Sequence, residues 1–390
     1  MIVRQFIEWV RGARAQERAE ATAALARAYI YAELSADDRA AAEGAMLVAL
    51  DDPWPLVRRA LADVLAASPD APVAVVRALA GDLPEIAAPV LALSPLFVDA
   101  DLIDGVATGG AMVQSAIASR AALPRSVAAA IAEVGAAEAC LVLLSNGEAD
   151  IAPYSLDRIV ERFGHLGEIR EPLAARDDLS AAARQSLVTK LGESLAGYAV
   201  GGEWLDVDNA LRVAREACEK MTVALAAETP DGDMRPLIRH LRESGQLTAG
   251  FILRAVLSGN TALFEGALAE LTGMPVRRVS GLIYGSGLRA AQALFHQAGL
   301  PPSMFPAFKE AVEAMREGGL VSAPRGIARL KRRLIECVLK RSENGEAGER
   351  APQITLQRRY ATEAAREEAR HFCDELVSRH SRARRQRIAA

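Results

Sequence analysis

The chain has 390 residues, enough for two or three domains or for one extended array. Its 51% apolar content is ordinary for a globular protein, and its formal net charge of -4 alone points to neither nucleic acid nor a membrane surface. Aromatic residues make up only 5%, alanine is abundant, and little of the chain shows the period-2 alternation of strands. Alanine is the best helix former, so an all-α chain of many short helices is expected.

The opening "MIVRQFIEWVRGARAQERAE" places Ile2, Phe6, Trp9, Val10 and Ala13 on one side of a helix. Charge of both signs follows at once, which suits a docking or capping helix over residues 1–34 and comes too early for a signal peptide. In "LSADDRAAAEGAMLVAL" Ser35 is the expected N-cap, with Asp38 three residues on in a variant capping box, and the helix should end near Leu50. "DDPWPLVRRALADVLAAS" then starts another helix, with Asp52 as its N-cap, Pro53 in its first turn, and Leu56, Ala60, Leu61, Val64 and Leu65 as its apolar face. Val73, Val76, Leu79 and Ala80 are expected to face inward from the next. Asp82, thirty residues after Asp52, opens "GDLPEIAAPVLAL" with the same acid-then-proline grammar.

A second internal similarity pairs "ASRAALPRSVAAAIAEVG" (118–135) with "AARDDLSAAARQSLVTKLG" (174–192), matching Arg120 to Arg176 and Leu123 to Leu179 at an offset of 56. Pro124 and Ser180 then begin the following helices. Between these segments Asn146 marks a turn, and Ile159 and Phe163 mark an apolar face. Paired helices that each leave one face uncovered bury it by stacking, so residues 35–226 read as a HEAT-like α-solenoid. The turn-rich "ETPDGDMRP" (228–236) marks a boundary before a second helical block, 235–320. That block divides at Gly245, Gly259 and Gly273, takes caps from Thr248 and Asn260, and draws core from Leu253, Val256, Leu257, Leu263, Phe264 and Leu268. Its glycine-rich "VSGLIYGSGLRAAQ" has neither the dinucleotide fingerprint nor the Walker lysine and reads as a tight helix–helix turn.

The C-terminal segment carries a different charge. From Val321 to Ala390 there are 17 Lys+Arg against 9 Asp+Glu, a net of +8, which leaves a net of -12 over the first 320 residues. Residues 321–342 are expected to form a basic amphipathic helix with Ile327, Leu330, Leu334, Ile335 and Val338 on its apolar face. Residues 343–352 are a polar linker, and 353–390 a last helix ending in Arg379, Arg382, Arg384, Arg385 and Arg387. Only five of the 46 basic residues are lysines, a skew that a GC-rich coding composition accounts for.

The units "DDPWPLVRRALADVL", "VVRALAGDLPEIAAPVLALSPLFVDADLI" and "AIASRAALPRSVAAAIAEVG", followed by "LRESGQLTAGFILRAVLSGNTALFEGALAELTGMP" and "FHQAGLP", resemble the alphaproteobacterial domain-of-unknown-function family 2336 over roughly residues 30–320. The resemblance implies an α-helical, HEAT-like, cytoplasmic bacterial protein. It implies no activity and no catalytic residues.

No catalytic, cofactor or metal constellation is legible. The four cysteines, Cys140, Cys218, Cys337 and Cys373, show no C-x-x-C spacing, and the five histidines no zinc-ligand motif. The longest apolar runs fall short of the ~20 residues that span a bilayer. Asp51 and Asp52 suit a helix cap and its dipole better than paired acid–base carboxylates. One of Arg58 and Arg59 is expected to bond the acid of a neighbouring turn. The remaining arginine and Trp54 are left, with the five tail arginines, as candidates for contact with a protein partner. The expected function is a non-enzymatic scaffold or adaptor. A nucleic-acid-binding HEAT-like protein is the alternative, disfavoured by the acidic body. A small-molecule enzyme would need a polar pocket near Gly281–Gly287.

Overall fold

The computed structural model describes residues 9, 12–285, 288–318, 358, 360–362, 365, 366, 369 and 370. Among them every regular element is helical and no strand occurs. None of these helices is long and apolar enough to cross a membrane. They fall into two compact units, divided between Leu187 and Val188.

Unit 1 is built from α1 (Ala15–Tyr31), α2 (Ala36–Ala49), α3 (Pro55–Leu65), α4 (Val73–Ala80), α5 (Pro84–Leu93), α6 (Asp99–Thr108), α7 (Ala111–Ala118), α8 (Arg125–Val134), α9 (Ala137–Ser145), α10 (Pro153–Phe163) and α11 (Gly167–Ala174), followed by the start of α12 (Ala181–Gly201). The odd-numbered helices pack one on the next, α1 to α3 to α5 to α7 to α9 to α11, while α2 packs on α4, and α6 on α8 and α8 on α10. Each chain-adjacent pair also packs across the two rows in most places. The stacking has a physical cause: a helix of eight to eleven residues covers little surface alone and gains its burial from neighbours. The core follows as a sequence of aliphatic layers, from Met46, Leu61 and Leu65 through Leu79 and Ile86 to Ile117, Ile131, Leu143, Ile159 and Leu173.

Several boundaries match the sequence reading. Ser35 is the N-cap of α2, its hydroxyl accepting from the Asp38 N–H at 3.2 Å, and α2 ends at Ala49. Others move. The third helix starts at Pro55 with Trp54 as N-cap, two residues later than expected, so Asp52 and Pro53 lie before it. The cause is local: Asp52 turns its carboxylate onto the Trp54 N–H (2.9 Å) and onto Arg18 of α1, which fixes it as a turn residue. Val57 and Ala62 join Leu61 and Leu65 inside, and Leu56 is exposed. Val75 likewise takes the inward place expected of Val73.

Unit 2 continues α12 and adds α13 (Val207–Glu228), α14 (Asp231–Glu243), α15 (Ala249–Leu257), α16 (Thr261–Thr272), α17 (Val276–Ser280), a single π turn (Gly281–Gly285), α18 (Leu288–Gln297), a 3-10 turn (Pro302–Met304) and α19 (Phe305–Gly318). At 228–236 the chain turns through Thr229 and Pro230 between two of these helices. Gly245, Gly259 and Gly273 sit at φ values of 70°, 75° and 71°, left-handed conformations that end α14, α15 and α16 where the sequence divides. Thr248 and Asn260 cap the next helices through side-chain oxygens. Phe264, Phe295, Phe305 and Phe308 form one packed cluster here, with centroid separations of 4.9 Å for Phe295 and Phe308 and 6.2 Å for Phe264 and Phe308. Tyr360 joins this core, its ring beneath the Arg254 guanidinium (4.3 Å) and its hydroxyl donating to the Gly250 carbonyl. In the glycine-rich segment Gly281–Gly285 follows α17 as a π turn. Ser286 and Gly287 lie outside the described residues.

Candidate functional site

In unit 1 the conspicuous polar groups around Leu50–Leu65 are absorbed by the fold. Arg18 grips Asp52 with two N–H donors at 2.7 and 3.0 Å, and Arg58 grips Asp82 in the same way at 2.5 and 2.9 Å. Arg58 also donates to the Asp52 carbonyl at 2.6 Å. The result is a ladder across two turns, Arg18 to Asp52 to Arg58 to Asp82, that ties α1 to the α2–α3 turn and α3 to the α4–α5 turn. The Arg18 hydrogen bond holds the Asp52 carboxyl below its ordinary range. Burial pushes Asp82 up, but hydrogen bonds from Arg58 and the Leu83 N–H outweigh it and leave it lowered too. Arg58 is therefore the arginine that bonds a neighbouring turn. Arg59 is exposed, with only Asp63 at 3.4 Å one helical turn on, and Trp54 stands 58% exposed at the helix start. These two face outward, as the sequence reading requires of partner contacts. Arg379, Arg382, Arg384, Arg385 and Arg387 lie outside the described residues.

Other arginines whose role the sequence does not reveal act as helix-end clamps. Arg120 donates to the Leu91 and Ser94 carbonyls at the end of α5, and Arg162 to the Ala132 and Gly135 carbonyls at the end of α8. The last carbonyls of a helix lack intrahelical donors, and a planar guanidinium satisfies two at once. Arg176, aligned with Arg120 in sequence, pairs instead with Asp178 two residues away.

The described thiols are not poised as nucleophiles. Burial raises Cys140 to about 11. Burial and the neighbouring Glu193 and Glu219 charges raise Cys218. Both are free thiols. No three His, Cys, Asp or Glu side chains among the described residues come together as metal ligands.

Unit 2 holds a larger recess, a groove of about 930 Å³ between α14, α16 and the start of α17. Its position follows from a close helix approach: a Cβ on Gly266 would lie 2.4 Å from Ile238 Cδ1, so glycine lets α16 settle against α14 and leaves the groove along their flank. Met234, Ile238, Ala269, Met274 and Val276 supply apolar lining. Arg235, Arg239 and Arg242 stand along it at i, i+4 and i+7 of α14, a single helical stripe. Arg242 donates to the side chain and the main-chain carbonyl of Glu270, each at 3.2 Å. Arg235 and Arg239 make no ion pair or hydrogen bond within the described residues and are exposed to solvent. Across the groove Glu265 accepts a hydrogen bond from Ser280. Burial, then the Glu265 charge, pushes the Tyr284 phenol well above its ordinary value. Glu265 and Glu270 are thus engaged within the unit, and with Asp231 also on the lining the rim keeps two exposed guanidiniums against one exposed carboxylate.

Stacked helix pairs followed by an aromatic-cored helical unit with an arginine-rimmed groove define an all-α protein. Within that class, the chain belongs to the bacterial family described as "Uncharacterised protein conserved in bacteria (DUF2336)", whose model matches residues 86–347, about two-thirds of the sequence. The match takes in unit 1 from residue 86 onward, just over half of it, and the whole groove. No curated protein matches the chain.

Proposed function

We propose that the protein is a non-catalytic, HEAT-like helical scaffold of the bacterial cytoplasm that docks a protein partner in the groove of unit 2. The observation that carries this reading is the pair Arg235 and Arg239, unengaged above an apolar floor. An amphipathic helix lays its i, i+3, i+4 and i+7 side chains into such a groove, and methionines adapt to its irregularities. Carboxylates along the flank of that helix would meet the guanidiniums in two-pronged pairs. The partner is therefore a protein presenting an acidic amphipathic helix. The raised pKa values of Cys140 and Cys218 support a role other than thiol catalysis, and free thiols suit a reducing compartment. Trp54 and Arg59 offer a second contact on unit 1.

The test is selection of helical peptides from a random amphipathic library on the full-length chain. Acidic amphipathic sequences are expected to enrich, and to bind the Arg235→Glu/Arg239→Glu chain at least tenfold more weakly. Enrichment of basic sequences, or equal binding to both chains, would reject the groove.

A further inference from the structure

The longest helices of the chain, α12 and α13, have 21 and 22 residues and are joined by only Gly202–Asp206. They run as a tight antiparallel hairpin. A Cβ on Gly192 would fall 2.5 Å from Cys218 Sγ, and the Cys218 thiol donates to the Val188 carbonyl at 3.4 Å. One flank of the hairpin is covered by its own unit: Thr222, Val223 and Ala226 are buried, and Glu219 reaches Arg254 of α15 at 3.5 Å.

The opposite flank is bare and apolar. Leu191, Leu195 and Tyr198 recur at i, i+4 and i+7 on α12, exposed by 40, 59 and 68%. Val213, Ala217 and Met221 recur at i, i+4 and i+8 on α13, with Val213 and Met221 exposed by 47 and 55%. At about 100° per residue, each stripe lies about a quarter-turn from the Gly192 and Cys218 contact. In an antiparallel pair those offsets bring both stripes to the same side. Trp204 extends the face at the hairpin tip, 69% exposed and edge-on to Tyr198 at 5.4 Å.

We infer that this face is the interface of a homodimer, in which the α12–α13 hairpins of two copies close into a four-helix bundle. Three features select a second copy as the occupant. A two-helix hairpin with one apolar side is half of such a bundle. A two-fold interface applies one patch to itself, so it must tolerate its own chemistry, and none of these six stripe positions bears a charge that would repel its copy. At the stated exposures these side chains and Trp204 present on the order of 800 Å², what each partner contributes to a stable interface of about 1,600 Å². The face is distinct from the arginine groove and independent of the docking reading.

The experiment is sedimentation velocity and light scattering on the full chain at micromolar concentrations, with the Leu195→Asp/Met221→Asp chain beside it and circular dichroism to check helix content. The wild type is expected at twice the chain mass, and the double variant at the chain mass, its dimer dissociation constant raised by about 100-fold or more. Tyr198→Ser is the milder second variant, expected to raise the constant by about tenfold. A monomeric wild type overturns the inference, including one in which another part of the same chain covers the face. A dimer that survives all these substitutions places the interface elsewhere and overturns it too.

Discussion

Arg58 reaches three oxygens, two on Asp82 and one on the Asp52 main chain, from a side chain only 14% exposed. A lysine there keeps the charge but cannot hold a carboxylate by two bonds while also reaching a carbonyl. Arg58→Lys should therefore destabilise unit 1 by about 1 kcal/mol, and Arg58→Ala by about 2–3 kcal/mol because Asp82 is left half-sequestered without its cation. Thermal unfolding of the full chain checks both, with Arg59→Ala, at an exposed position, expected near zero. The acid limb carries a further signature. Asp52 and Asp82 have folded pKa values below the ordinary carboxylate value near 3.9, so the native state gives up protons that the unfolded chain retains. Their stabilisation is fully present above that ordinary value and is lost as pH falls through the lowered folded values. Asp82→Asn should lower stability at pH 7 and flatten its decline between pH 5 and pH 3; a parallel decline in both chains would refute the linkage.

At the scale of elements, glycine decides how closely helices approach. At Gly192 an added methyl group runs into Cys218 in a hairpin already in contact. Helix propensity favours alanine there by roughly 1 kcal/mol, but overpacking costs typically 1–3 kcal/mol, so Gly192→Ala should be net destabilising and lower the melting temperature. A rise in melting temperature would show that the hairpin has room to spare. The elements themselves were largely legible, because their punctuation is local chemistry: Ser35, Thr248 and Asn260 as caps, and Gly245, Gly259 and Gly273 as left-handed ends. The start of α3 was not, because both Asp52 and Trp54 can stand before a proline. The choice was made by Arg18, 34 residues away. The aligned Arg120 and Arg176 make the same point, since identical repeat positions take different partners. The groove arginines were visible as letters, but nothing in their spacing says that Arg242 has Glu270 while Arg235 and Arg239 have no partner among the described residues. The bare flank of α12–α13 was hidden for a similar reason. Heptad-like apolar spacing reads as core unless something shows that no neighbour covers it.

The two units use their polar and aromatic residues differently. Unit 1 pairs Arg18, Arg58, Arg120 and Arg162 within its own turns, rung by rung, and leaves Trp54 and Arg59 exposed. Unit 2 holds the phenylalanine cluster and a groove whose rim keeps two guanidiniums in solvent. Rim charges contribute attraction that salt screens, whereas the apolar floor does not depend on salt. Partner binding should therefore weaken with ionic strength without vanishing. The most direct measurement is co-purification from the native bacterium, comparing the wild-type chain with the Arg235→Glu/Arg239→Glu chain by mass spectrometry. The account predicts a protein partner carrying an acidic amphipathic helix that is retained by the first and lost from the second. Recovery of the same partners by both chains, or of nucleic acid in place of protein, would contradict it.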